Sequence, residues 1–158
     1  MTAVTLRKAT WEDSRRLWRW RNEKQVRLNS FSTRQIPYET HKRWLKNTLE
    51  NPATSIWIGK SSTRVCGMVR FNQQPRKTAE IHISVERALR GKGMGAALLG
   101  AACRLARRQG LRKLKAHVLV VNTASYRIFE KNGFQVAGKK KLAGKRAFLM
   151  TLSLARKP

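Results

Sequence analysis

The stretch Arg90-Gly91-Lys92-Gly93-Met94-Gly95 has the composition of an anion-binding turn. Glycines let consecutive backbone N–H groups converge on one point, a following helix adds the positive end of its dipole, and Arg90 and Lys92 supply full charges. Such a turn holds phosphate or pyrophosphate. Upstream, Glu80, His82 and Ser84 alternate with Ile81, Ile83 and Val85. In a strand that alternation puts the carboxylate and the imidazole on one face, where Glu80 is the first candidate for a general base and His82 the second.

Two familiar phosphate-binding loops do not fit. A Walker loop needs Gly-Lys followed by Ser or Thr, and Lys92 is followed by Gly93. A dinucleotide-binding turn needs a carboxylate about 20 residues further on, and there is no acidic residue between Glu86 and Glu130. Cys66 and Cys103 lie in apolar contexts with no Cys or His at metal spacing, so they read as free core thiols and no metal site is expected.

The elements that would position these groups follow from periodicity. Val4 to Arg7 reads as a strand. Thr10 and Asp13 form a capping box that opens a helix carrying Trp11, Leu17 and Trp18 inward and ending near Arg21-Asn22. Glu39 to Leu49 is a second helix, with Trp44 and Leu45 on its apolar side. Ser55 to Gly59 and Arg64 to Phe71 make a hairpin, and Ala79 to Val85 continues as a strand. Gly95 to Gln109 is a strongly amphipathic helix closed by Gly110. Leu114 to Val121 is a buried strand. Thr123 to Asn132 is a short helix ended by Gly133. Phe134 to Lys141 and Arg146 to Leu154 are two last strands about an Ala143-Gly144 turn.

Length and charge bound the rest. The 158 residues suit one domain, taken as 1–158, and no apolar run has the length of a membrane span or a signal peptide, so a cytoplasmic protein is expected. Thirty-five Lys and Arg against eight Asp and Glu give +27, spread along the chain. That excess favours anionic partners, small or large. No nucleic-acid-binding motif accompanies it, which ranks nucleic acid below a phosphate-rich small molecule as the partner.

Glu80 to Val85, then Arg90-x-x-Gly93-x-Gly95, a helix, a strand ending at Asn122, and Ser125 through Phe129-Glu-Lys-Asn-Gly133-Phe134 together resemble the GNAT superfamily of acyl-CoA N-acyltransferases. The resemblance implies an α/β (α+β) fold with a mixed, mostly antiparallel sheet of about seven strands, about four helices, and a splay between the fourth and fifth strands that admits acetyl-CoA. It implies that backbone around Ile83 and Val85 meets the pantetheine arm and that Arg90, Gly91, Lys92, Gly93, Met94 and Gly95 hold the pyrophosphate. Asn122, with Ser125 and Phe129, would border the arm from the other side. A backbone N–H near Val85 would stabilise the oxyanion. Family members often carry a Tyr where this chain has Phe129; Tyr126, one turn earlier, is the candidate substitute acid, and water is the alternative.

The segments Trp18-Arg-Trp-Arg-Asn22, Val26-Arg27, Phe31, Ile36, His41-Lys-Arg-Trp44-Leu45 and Val69-Arg70-Phe71 resemble the amino-sugar branch of that superfamily, of the pseudaminic acid biosynthesis type. The implied acceptor is the 4-amino group of a nucleotide-linked sugar, with Trp20, Arg21, Asn22, Phe31 and His41 as its contacts. Trp20 is out of phase with Trp18 and so is expected in the site, while Trp11, Trp18 and Trp44 are expected in the core. A macromolecular acceptor, such as a ribosomal protein N-terminus or aminoacyl-tRNA, is the alternative that the charge supports. A homodimer paired through the last strands is a further expectation.

Overall fold

The computed structural model describes residues 3–155. Seven strands form one sheet: β1 (Val4–Lys8), β2 (Thr54–Ser61), β3 (Arg64–Gln74), β4 (Thr78–Val85), β5 (Lys113–Leu119), β6 (Gln135–Leu142) and β7 (Lys145–Ser153). Their order is β1-β2-β3-β4-β5-β7-β6, and every neighbouring pair is antiparallel except β4 with β5. That parallel pairing covers only Thr78–Glu80 against Lys113–Lys115. Beyond it the two strands part, as the splayed sheet requires.

Helices α1 (Ser14–Asn22), α2 (Lys24–Leu28) and α3 (Tyr38–Glu50) cover one face; α4 (Met94–Arg108) and α5 (Thr123–Lys131) cover the other. Each face has its own core. Leu98, Leu99, Ala102 and Ala106 of α4 close on Val69, Phe71, Ile81 and Leu114. Leu17, Trp20 and Leu45 close on Ile56 and Ile58 from the opposite side. Five α-helices stand where about four were expected, because the Lys24–Leu28 turn, which buries no residue, carries no apolar period for the sequence to show.

Helices α4 and α5 both end in paired reversed bonds. Leu111 N–H donates to Ala106 O and Gly110 N–H to Arg107 O; Phe134 N–H donates to Phe129 O and Gly133 N–H to Glu130 O. The glycines take φ of +79° and +89°, the left-handed conformation such caps require. In the second cap Phe134 meets Phe129 edge-on at 5.0 Å between centroids, which fixes Phe129 where β4 and β5 part.

The inward phase of α1 is not the one expected. Trp20 is 5% exposed and packs with Leu17, whereas Trp11 is 48% and Trp44 38% exposed. The reason is local: Trp11–Asp13 forms a tighter 3₁₀ turn, so the α-helical phase starts at Ser14 and its buried stripe runs Ser14, Leu17, Trp20. In α3 the buried stripe is His41 and Leu45. The capping box at Thr10 and Asp13 is present, and Arg7 clamps the Asp13 carboxylate with two bonds of 2.9 and 2.8 Å.

Candidate functional site

Where β4 leaves β5, its backbone is free on one edge. Glu86 N–H donates to Cys66 O on β3, and in an antiparallel ladder alternate residues point alternate ways. Ser84 and His82 therefore also face β3, while the N–H groups of Ile83 and Val85 face the gap. Val85 O on that edge accepts from Arg90 Nε at 3.0 Å, and Arg90 Nη2 meets Glu23 Oε2 at 3.0 Å. Arg90 is thus the tie that holds the glycine turn against the end of β4.

In that turn Gly91 and Gly93 have φ of +74° and +80°, and a Cβ at either would meet nothing within 4 Å. The open space is what an entering anion needs, and α4 begins immediately afterwards at Met94. Lys92 Nζ bonds Ala88 O at 3.3 Å. Met94 and Gly95 are different: both are buried, and a Cβ on Gly95 would stand 2.5 Å from Ile128 Cδ1. Gly95 is small so that α4 and α5 can approach, which makes it a packing residue, and Arg90 is spent on holding the turn, its N–H donating to Arg87 O, so the open part of the turn is residues 91–93.

From the splay a cavity of about 620 Å³ extends beneath α1 and α3. Ile83, Asn122, Ser125 and Phe129 line its inner end. Asn122 caps α5 by accepting from Ser125 N–H at 3.2 Å, and its amide N–H₂ is left for a ligand. Trp20, Arg21, Phe31 and His41 line it; Asn22 does not. The Asn22 amide is spent on Ile36, donating to its carbonyl and accepting from its N–H at 2.8 Å each. With Trp18 Nε1 on the same carbonyl at 2.7 Å, this clamp holds the segment that carries Phe31 over the cavity. The indole of Trp20 donates to Glu86 at 2.6 Å, so its polar end is taken as well.

The charged side chains that line the cavity are of one sign. Arg21, His41, Arg70, His82 and His117 line it, and no carboxylate does among the described residues. Arg70 and His117 carried no site assignment in the sequence reading. Arg70 stacks on Trp44, 5.5 Å from the ring centroid, and its Nε has no hydrogen-bond partner. Burial pushes the Arg70 guanidinium down from its ordinary value; the Glu80 carboxylate pulls the other way and the charge of Arg21 adds to the lowering. His41 is 3% exposed, its Nδ1 lacks a partner, and burial with Arg21 nearby lowers it too. A buried guanidinium with an unpartnered Nε is costly until an acceptor joins it.

Glu80 sits just below this lining. His117 Nδ1 bonds Glu80 Oε1 at 3.2 Å; His82 Nε2 is equally near but off the line of a hydrogen bond, so it counts as unpartnered. The two imidazoles, His82 foremost, hold the Glu80 carboxyl at about 2. At neutral pH it is a fixed carboxylate and a weak proton acceptor. Tyr126 is not among the cavity-lining residues: its ring packs on Phe148 at 5.4 Å and joins the core of the α4 face.

The profile of the Acetyltransferase (GNAT) family matches residues 11–134. The chain belongs to the GNAT acetyltransferase family. Its seven-stranded sheet with the parted β4 and β5 is the GNAT fold, and the domain is an N-acetyltransferase domain whose glycine turn and free β4 edge suit CoA. The spermidine N-acetyltransferase of Vibrio cholerae, solved with CoA and spermine, has a TM-score of 0.86 at 19% identity, covering 96% of this chain and 95% of that one. The aminoglycoside acetyltransferase AAC(6')-Ib with coenzyme A gives 0.83 at 19%, covering 96% and 95%. The phosphinothricin acetyltransferase-like protein YwnH of Bacillus subtilis (strain 168) is 40% identical over 85 residues. That match takes in 54% of this chain and about half, 48%, of the relative's length.

Proposed function

We propose that this GNAT domain transfers the acetyl group of acetyl-CoA directly to the primary amine of a small anionic molecule, with the 4-amino group of a nucleotide-linked sugar as the acceptor. What supports this reading is the cavity that runs from the free β4 edge to a lining of Arg21, His41 and Arg70, with no carboxylate in that lining among the described residues. A polyamine or an aminoglycoside would meet repulsion there; a diphosphate would supply the missing counter-charge. Trp44 and Phe31 add aromatic faces of the kind that a base or sugar ring stacks on.

Acetyl-CoA brings an activated thioester. Residues 91–93 would hold its pyrophosphate by backbone N–H groups and charge, with Arg90 tying the turn to β4, and Ile83, Asn122 and Ser125 would border the arm. The N–H groups of Ile83 and Val85 are the donors placed to stabilise the oxyanion. Glu80, His82 and His117 form the cluster that handles the ammonium proton. Tyr126 would reach the leaving sulfur only if its ring left Phe148, so we assign that proton to the amine nitrogen and solvent. The proposed place of work is the cytoplasm, where buried free thiols such as Cys66 and Cys103 persist. A homodimer would have to use a face other than the β6 edge, because Lys139, Lys140 and Lys141 line that edge with like charge.

The match to YwnH favours a second acceptor of the same sign, an amino acid bearing a phosphinate or carboxylate. The test is release of CoA thiol with a UDP-linked 4-amino sugar, phosphinothricin, spermidine, a basic peptide and aminoacyl-tRNA offered separately. Turnover with the sugar nucleotide supports the first reading and turnover with phosphinothricin the second. Turnover with spermidine alone, or with peptide or tRNA alone, overturns both.

A further inference from the structure

Among the polar side chains around the cavity, His117 has an arrangement the others lack. It lies on β5, two residues past the last pairing with β4, so its ring stands at the point where the strands part. Its Nδ1 meets Glu80 Oε1, and its Nε2 has no partner although the residue lines the cavity. Glu80 is ionised and can only accept, so the proton in that bond belongs to His117 Nδ1. A neutral imidazole with Nδ1 protonated has its lone pair on Nε2.

We infer that His117 is the general base of the transfer, with Glu80 as the positioning residue that fixes its tautomer. This rests on the acetyltransferase reading given above. The acceptor ammonium gives one proton to Nε2, and the freed amine attacks the thioester carbon. The C–N bond forms, the C–S bond breaks, and the thiolate takes the second proton released by the nitrogen. The imidazolium returns its proton to solvent. His82 does not qualify, because its Nε2 lies against the Glu80 oxygen without an aligned bond to set its tautomer.

The discriminating variant is His117→Asn, whose amide keeps a donor near Nδ1 and removes Nε2. With the amine that the wild type turns over, kcat should fall by about 10²-fold or more. The KM for acetyl-CoA should stay unchanged, and the rate should recover as the pH rises toward the amine's own pKa. A kcat for His117→Asn within threefold of wild type overturns the proposal. Nitrogen-detected NMR of the wild-type imidazoles needs neither an acceptor nor a folded variant: His117 protonated on Nδ1 with a bare Nε2 supports the inference, and the opposite tautomer overturns it. Absence of turnover in the wild type with any amine would count against the acetyltransferase reading, and the tautomer would still decide the role of His117.

Discussion

In the CoA site proposed at the Arg90–Gly95 turn, the groups that would face the ligand are backbone N–H groups, opened by two glycines at φ +74° and +80°. The acceptor cavity is instead lined by side chains from α1, α3, β3, β4 and β5, and its charge comes from Arg21 and Arg70. A site made of backbone is written in one short run of residues and depends on what is missing from each side chain. A site made of side chains is spread over about 100 residues of sequence and depends on which face each one takes. The first half can therefore be shared across a family while the second half sets what this chain accepts.

The sharpest way to break that comparison is Gly93→Val. With no atom within 4 Å of an added Cβ, the fold suffers only the strain of a left-handed L-residue, about 1–2 kcal/mol. A domain of ordinary stability tolerates that. The side chain fills the anion's place, so CoA affinity should drop by about 100-fold or more in a calorimetric titration, with the thermal midpoint moved only a few degrees. Gly95→Val, two residues on, should do the reverse. Its Cβ runs into Ile128, so overpacking of about 1–3 kcal/mol lowers the midpoint by roughly 5 °C in a melt, while the ligand-facing part of the turn is untouched.

On the cavity side, Arg70→Gln should raise the KM of an anionic acceptor by about tenfold or more and leave the KM of acetyl-CoA alone, since each hydrogen bond to a charged group is worth about 1.5–3 kcal/mol. Equal KM values for both substrates in wild type and variant would remove Arg70 from the site. Glu80→Gln sharpens the same half through acid titration. The folded carboxyl is held at about 2 against an ordinary 4.5, so its contribution to stability is full above about 4.5 and is lost as pH falls toward 2. The variant should lack that part of the acid destabilisation, and identical acid unfolding curves would count against the Glu80 cluster. The smallest effect is expected for Tyr126→Phe, whose hydroxyl is outside the cavity lining: kcat within about threefold of wild type.

The sequence was readable wherever geometry follows from spacing. The strict alternation from Glu80 to Val85, the helix-ending glycines at 110 and 133, and the capping box at Thr10 all appear in the structure in the roles their spacing implies. The phase of α1 was not readable, because a 3₁₀ turn and an α-helix starting at the same cap place Trp11, Trp18 and Trp20 on different faces. Asn22 reads as a polar residue next to a ligand-binding tryptophan, yet its amide closes on Ile36, and only the folded loop reveals that partner. His117 hid in a strand that scans as apolar, and its meaning depends on Glu80, 37 residues away. Arg70 sits between Val69 and Phe71 like any surface residue of an alternating strand, and only the fold shows that its Nε is buried without a partner beside the cavity.

The most direct test of a site divided between backbone and side chains is to titrate UDP into protein already saturated with CoA, in the wild type and in Arg70→Gln. Saturation keeps the nucleotide out of the glycine turn, so any heat reports on the cavity. The account predicts binding to the wild type, at least tenfold weaker binding to the variant, and the same affinity of both proteins for CoA. UDP that binds both proteins equally, or that binds only when CoA is absent, would contradict it.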